Sequence, residues 1–247
     1  MPSFRTFIGL MLFPAISGIS EARTSTPKAE AIVAASKRVT GGIAWDKPEG
    51  CIERGTHADG AVTYLTRFSM RAYGMRTDSD RGGKVRSMGF DGKVRWQTAG
   101  PGKADIGSDL ASLQEAMVTN YLSNNGFFFP DRFPATFRIV RAATEGARRF
   151  DIVEITPTGG RPLEVWFDSR THLIQRVVDT HGTPAVRVEA SDYRRGADGL
   201  MVAYRLDVFG PDGTVMDRGA VASFQCGPID PAIFAPPPLA ETATPTP

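Results

Sequence analysis

The chain has 247 residues, of which 41% are apolar and 23% are charged, a composition typical of a globular protein with ample material for a core. Its 29 lysines and arginines nearly balance its 27 aspartates and glutamates, so the formal net charge is +2 and neither sign forms a long run. This distribution excludes an electrostatic case for binding nucleic acid or an acidic lipid surface.

The first 22 residues differ in composition from the rest of the chain. Arg5 precedes an apolar run over residues 7–16, and the small-residue pattern Ser20-Glu21-Ala22 follows it. This order is typical of a secretory signal peptide, and the run is shorter than the ~20 residues that a membrane-spanning helix needs. We therefore expect residues 1–22 to be a signal peptide, the protein to be secreted and the mature chain to have no transmembrane segment.

One short amphipathic helix is predicted at the start of the mature chain. Thr26-Pro27 supplies an N-cap followed by proline at the first helical position. Ile32, Ala35 and Val39 then recur at helical spacing until Gly41-Gly42 ends the pattern.

Cys51 and Cys226 are the only two cysteines. In an oxidising compartment they could form one disulfide bond, and two buried free thiols are the alternative. The spacing in sequence does not decide between these alternatives, because a disulfide bond requires two Cα atoms within bridging distance.

The segment from residue 62 to residue 97 is predicted to form strands. Apolar and polar side chains alternate over residues 62–70, which is the clearest strand pattern in the chain. The Asp91-Gly92 pair lies between two short apolar segments and is the strongest local signal of a β-hairpin. Similar turns at 168–171 and 210–214 indicate an antiparallel meander.

A second helix is predicted to interrupt the strands. Gly100-Pro101-Gly102 breaks the sheet, and apolar residues then fall on one helical face until Asn124-Asn125-Gly126. We place this helix at residues 105–124. The aromatic run Phe127, Phe128 and Phe129 follows it directly.

The second half of the chain returns to strands, which brings the predicted total to about 11. From Pro228 onward the chain is rich in proline, alanine and threonine, so residues 228–247 are predicted to be a disordered or loosely attached tail. The predicted strands lie near residues 136–142, 149–156, 162–167, 173–179, 186–193, 200–209 and 215–224.

Motifs for catalysis and metal binding are absent from the sequence. The three histidines lack partners at metal-ligand spacing, and no Gly-x-Ser-x-Gly elbow occurs. Residues 177–182 resemble the Asp-Thr-Gly loop of aspartic proteases, but His181 interrupts the motif. A single aspartate, Asp179, does not supply the pair of carboxylates that share a proton in those enzymes. We expect a protein that is not an enzyme and that has no metal and no cofactor.

Large apolar side chains outnumber candidate catalytic groups. Most of them are expected in a packed core, but a curved antiparallel sheet covered by helices can instead enclose an apolar cavity, and both interpretations stay open. The residues predicted to line such a cavity are Tyr64, Phe68, Met70, Met88, Trp96, Leu113, Met117, Tyr121, Phe127, Phe128, Phe129 and Trp166.

The order of these elements resembles the periplasmic LolA/LolB-like lipoprotein-carrier superfamily over about residues 28–226. The matching segments are 89–96 (GFDGKVRW), 163–168 (LEVWFD), 188–193 (VEASDY) and 198–200 (DGL). The chain is also similar to a LolA-like segment that precedes the protease domain of some bacterial retropepsin-like proteins, which residues 41–46 match well. Because no such protease domain follows here, we expect a stand-alone module.

The resemblance implies an α+β fold, in which residues 23–227 form a strongly curved antiparallel half-barrel of about 11 strands lidded by helices. It implies a non-enzymatic protein of the bacterial periplasm that holds a lipid, an acyl chain or a lipoprotein in an apolar cavity. Helix 105–124 and the aromatic run after it would be the movable lid. The alternative is a regulatory domain with a packed core and no ligand, whose partner is another envelope protein.

Overall fold

The computed structural model describes residues 24–100 and 103–237, and the predicted signal peptide lies outside them. Within these residues the chain forms two α-helices, three short 3₁₀ helices and one antiparallel sheet of thirteen strands. The α-helices are α1 (Pro27–Thr40) and α2 (Leu110–Ser123), and the 3₁₀ helices are Gly42–Asp46, Gly126–Phe128 and Pro231–Phe234. The strands are β1 (Gly50–His57), β2 (Val62–Ser69), β3 (Met75–Arg81), β4 (Lys84–Phe90), β5 (Arg95–Gly100), β6 (Lys103–Gly107), β7 (Ala135–Glu145), β8 (Arg148–Pro157), β9 (Leu163–Asp168), β10 (Ile174–Asp179), β11 (Val186–Arg195), β12 (Met201–Phe209) and β13 (Val215–Gly227).

The sheet is open, and its first and last strands meet in the middle. Its order is β6-β5-β4-β3-β2-β1-β13-β12-β11-β10-β9-β8-β7, so β6 and β7 are the two edges. The ladder between β1 and β13 is the junction between the strands that precede α2 and those that follow it. This architecture confirms the predicted α+β class and the antiparallel half-barrel.

The local signals in the sequence correspond closely to the elements observed. Helix α1 begins at Pro27 after Thr26 and ends before Gly41, as predicted. The Asp91-Gly92 hairpin joins β4 to β5. Gly92 has a φ of 91°, a backbone conformation that favours glycine, and the backbone N–H groups of Lys93 and Val94 donate to Asp91 Oδ1.

The predicted helix at 105–124 is wrong at its beginning. Residues 103–107 form the edge strand β6, and α2 starts only at Leu110. The start is set by Asp109, whose Oδ1 accepts a hydrogen bond from the backbone N–H of Ser112 at 3.0 Å. Missing this short strand is one reason why the sequence analysis expected about 11 strands instead of the thirteen in the described residues.

One disulfide bond closes the junction in the middle of the sheet. Cys51 on β1 and Cys226 on β13 are direct cross-strand partners, with their Cα atoms 4.0 Å apart and their sulfurs bonded. Of the two alternatives left open by the sequence, the structure contains the disulfide. The bond links positions 175 residues apart in sequence.

The two faces of the sheet are covered differently. Both α-helices and the aromatic run pack on one face, here called the helix face, where most of the buried apolar side chains form a single core. On the opposite face, here called the outer face, Phe150, Ile152 and Trp166 form a separate smaller cluster. None of the helices in the described part of the chain is long and apolar enough to span a membrane.

The first part of the predicted tail is packed against the sheet. Phe234, in the 3₁₀ helix Pro231–Phe234, is buried, and Trp96 Nε1–H donates a hydrogen bond of 2.7 Å to its carbonyl oxygen. Residues 228–237 are therefore attached to the domain, because their apolar side chains find a complementary surface. The remainder, 238–247, lies outside the described residues.

Candidate ligand-binding cavity

An open cavity of about 350 Å³ lies between the helix face of the sheet and the helices that cover it. This volume is within the range of roughly 300–1,000 Å³ that is usual for small-molecule sites. The lining comes from both halves of the sheet and from the helices on the helix face. It consists of Ser36, Thr40, Trp45, Glu53, Thr66, Phe68, Met75, Thr77, Met88, Thr119, Leu122, Ser123, Asn125, Phe127, Phe128, Ile174, Val177, Val188, Ala190, Tyr193, Met201, Val202, Ala203, Leu206 and Phe224.

A row of side chains across five neighbouring strands forms one part of the cavity floor. Phe224, Glu53, Thr66, Thr77 and Met88 are successive cross-strand partners on β13, β1, β2, β3 and β4. Cross-strand partners point to the same side of a sheet, so the five side chains all face the helices. The hydroxyl groups of Thr66 and Thr77 are hydrogen-bonded to each other at 2.9 Å.

The other part of the floor is aliphatic and includes small side chains. Val177 on β10 pairs with Val188 on β11, and Ala190 on β11 pairs with Leu206 on β12. Ala203 on β12 lies in the same lining. Because alanine does not extend far from the sheet, space remains between this floor and the helices instead of a filled core.

The roof of the cavity is aromatic. Trp45 contacts Phe128, with ring centroids 5.8 Å apart, and Phe127 packs edge-on against Phe128 at 4.7 Å. The indole N–H of Trp45 donates to the carbonyl oxygen of Thr40 at 3.1 Å, which fixes the ring against the end of α1. Leu122 contributes an aliphatic side chain from α2.

The structure brings four of the predicted lining residues together in this cavity: Phe68, Met88, Phe127 and Phe128. The others lie elsewhere, because apolar patterning identifies burial but not the face or depth of a side chain. Met70, Tyr121 and Phe129 are in the packed core, and Leu113 and Met117 are half-buried on α2 outside the cavity. Trp96 and Trp166 are on the outer face. Trp96 pairs with Gly89, which points to the side opposite that of its neighbour Met88, and Trp166 belongs to the outer cluster.

Tyr64 is on the helix face next to the cavity and contacts Glu53, which was not among the predicted lining residues. Its hydroxyl donates a hydrogen bond of 2.8 Å to Glu53 Oε1. Burial raises the pKa of the Glu53 carboxyl, and the hydrogen bond from Tyr64 offsets only part of that shift. Burial and the neighbouring Glu53 also raise the pKa of Tyr64. Glu53 could have been found from its place in the alternating pattern of the strand after Cys51.

Helix α2 is attached to the sheet at two points. The backbone N–H of Gly74 donates to Asn120 Oδ1 at 2.8 Å, and Asn120 is completely buried. At the other point, Arg161 contacts Glu115 on α2 and Asp179 at the end of β10, with 3.0 Å between Arg161 Nε and Asp179 Oδ2. We call this group of three side chains the α2 ion-pair cluster.

The residues of the interrupted protease-like motif have structural partners. Asp179 Oδ1 accepts the backbone N–H of His181 at 3.1 Å, and both oxygens of Asp179 contact Arg161. Within residues 24–100 and 103–237, no group of three or more histidine, cysteine, aspartate or glutamate side chains is arranged to hold a metal ion. Both side-chain oxygens of Asp179 are therefore engaged in structural contacts.

Comparisons with known proteins were made on sequence and on structure. No protein-family model and no curated protein matches the chain. A LolA superfamily protein from Nitrosomonas europaea has a similar structure, with a TM-score of 0.54 and 10% sequence identity over 84% of this chain and 97% of that chain. A domain assigned to outer membrane lipoprotein sorting, from Vibrio parahaemolyticus, has a TM-score of 0.52 and 10% identity over 81% of this chain and 92% of that chain. The chain therefore has a LolA-like fold.

Proposed function

We propose that this protein is a non-enzymatic binding protein of the bacterial periplasm that holds a lipid, an acyl chain or an acylated protein in its cavity. The observation that carries the proposal is the cavity itself, about 350 Å³ in volume with a mostly apolar lining. The similarity in fold to a domain assigned to lipoprotein sorting supports it. A secretory signal at residues 1–22 would deliver the chain to that compartment.

Burial of apolar surface is the proposed source of affinity. Each Å² of apolar surface removed from water contributes roughly 25 cal/mol, so burial of about 300 Å² of an acyl chain contributes about 7.5 kcal/mol before the costs of ordering. The aromatic roof and the aliphatic part of the floor make no directional contacts with a bound acyl chain. Such a lining accepts aliphatic ligands of differing lengths.

The first test compares two substitutions on one helix. Leu122 and Met117 are both half-buried on α2, but only Leu122 lines the cavity. We expect Leu122→Asp to weaken binding of the neutral fluorophore N-phenylnaphthylamine by at least about tenfold, because a carboxylate in the lining must be desolvated when the ligand enters. The matched control Met117→Asp should bind as the wild type does. Equal binding by both variants, with circular dichroism showing both folded, would contradict the proposal.

Native mass spectrometry of the purified protein supplies an independent test. We expect the wild-type protein to carry co-purified lipid, and Leu122→Asp to carry less. A lipid-free mass together with a stable protein partner in a pull-down would instead favour the alternative, an envelope interaction domain.

Movement of α2 is proposed to widen the opening of the cavity for the ligand, because this helix and the aromatic run after it cover the floor. The α2 ion-pair cluster restrains that movement. Glu115 is half exposed, so Glu115→Gln should cost no more than about 1 kcal/mol of stability. We expect faster hydrogen exchange of the α2 amides and faster release of the fluorophore. Asp59→Asn, which removes an exposed ion pair with Arg218, is the control and should change neither rate.

A further inference from the structure

The cavity contains one carboxylate in an otherwise uncharged lining. Among the described residues that line it, Glu53 is the only acidic one, and no lysine, arginine or histidine is present. It lies between Phe224 and Thr66 in the row that crosses the floor. Burying an acidic side chain at this position costs free energy, and a cavity that bound only apolar ligands would gain nothing from it.

The hydrogen bonds around Glu53 leave one of its oxygens available. Oε1 accepts the hydrogen bond from Tyr64, while Oε2 has no hydrogen-bond partner among residues 24–100 and 103–237. The nearest hydroxyl groups in the same row, those of Thr66 and Thr77, are hydrogen-bonded to each other at 2.9 Å. No basic side chain in the described residues forms an ion pair with Glu53.

We propose that Glu53 is a binding residue for a protonated amine, and that the cavity selects amphiphiles in which an ammonium group is attached to an aliphatic chain. The inference rests on the proposed function and adds the head-group chemistry of the ligand. The ammonium would donate to Oε2 of Glu53, and the aliphatic chain would lie along the apolar lining around Phe68 and Leu206.

The electrostatics favour an ammonium over the other common head groups. A bound carboxylate would face the carboxylate of Glu53, and repulsion between like charges disfavours it. A hydroxyl can donate to Oε2, but a hydrogen bond in which both partners are charged is about twice as strong. Burial disfavours the ionised form of Glu53, and a cationic donor supplies the positive charge that would stabilise its carboxylate.

The test uses three probes that share one aliphatic chain: dodecylammonium, dodecanol and dodecanoate. Each probe is titrated, below its micellar concentration, against the full-length protein loaded with N-phenylnaphthylamine, and displacement is measured by fluorescence. We expect dodecylammonium to bind the wild type about tenfold more tightly than dodecanol, and dodecanoate to bind more weakly than either. In Glu53→Gln the preference for dodecylammonium should disappear, so that dodecylammonium and dodecanol bind with similar affinities.

The controls separate the inference from the proposed function. Glu49→Gln removes the same charge from an exposed position just before β1 and should keep the wild-type preference. Tyr64→Phe removes the hydrogen bond to Oε1 but leaves the carboxylate, so the ammonium preference should persist. Dodecanol binding without an ammonium preference, or an unchanged preference in Glu53→Gln, would overturn the inference alone. Failure of all three probes to bind would overturn the proposed function.

Discussion

Replacing Cys51 and Cys226 with serine is expected to lower the free energy of unfolding by about 5 kcal/mol. The disulfide bond closes a loop between positions 175 residues apart, and the chain-entropy model gives this value for a loop of that length. The bond also lies in the β1–β13 ladder, the junction between the two halves of the sheet. Its loss therefore removes the covalent link at the place where the most distant parts of the chain pair.

Urea unfolding followed by circular dichroism measures this effect. The oxidised wild type, the wild type treated with a reducing agent and the double serine variant are compared. The reduced wild type should match the variant, since both lack the covalent link while keeping the same strands. An unfolding midpoint that is the same in all three samples would contradict the expected role of the disulfide bond.

Glu53 and Phe224 are each two residues from one of the two cysteines, so binding of the fluorescent probe should weaken when the disulfide bond is lost and the β1–β13 ladder loosens.

Trp96→Ala is expected to destabilise the protein by about 4 kcal/mol without weakening ligand binding. The ring is completely buried on the outer face, and its N–H holds the carbonyl oxygen of Phe234. Removing it leaves a void and releases the C-terminal segment. The cavity is on the helix face, so its lining stays intact in the folded protein.

Phe68→Ala is the matched comparison for this prediction. Phe68 is as buried as Trp96 but lines the cavity on the helix face. We expect both variants to have lower unfolding midpoints in urea and only Phe68→Ala to have an altered affinity for N-phenylnaphthylamine at a temperature where both are folded. A loss of affinity in Trp96→Ala equal to that in Phe68→Ala would show that Trp96 acts on the ligand site. Trp96→Phe should lose less than Trp96→Ala, since a phenyl ring fills most of the space of the indole but leaves the carbonyl oxygen of Phe234 without its donor.

Local features of the sequence were sufficient for most of the strands and for α1. Side-chain alternation over residues 62–70 corresponds to β2, and the strands predicted in the second half correspond to β7 through β13. The predicted helix at 105–124 began too early because a five-residue edge strand has too few side chains to show a period. Asp109, the N-cap residue of α2, was not identified from the sequence, and its hydrogen bond to the backbone N–H of Ser112 is seen only in the structure.

The candidate site was less predictable than the fold. Phe68, Met88, Phe127 and Phe128 line the cavity, whereas Trp96 and Trp166 are on the other face. Hydropathy assigned all six to buried positions. The faces of the four residues on strands follow from strand register, and Phe127 and Phe128 are placed by the 3₁₀ helix that follows α2. Glu53 and Ala190 were not predicted as lining residues. An acidic or a small side chain does not stand out among large apolar residues, yet these two provide the charge and the space in the cavity.

The sequence by itself determined where most of the strands, the turns and the first helix lie, because these depend on side-chain period, on capping and on glycine conformation within a few residues. The Asp91-Gly92 hairpin is the clearest case. The tertiary structure alone decided that β1 pairs with β13, that Cys51 meets Cys226, that a cavity exists and that Trp96 faces away from it. Each of these depends on contacts between residues far apart in the chain and on the summed volumes of side chains from many strands, which no local pattern records.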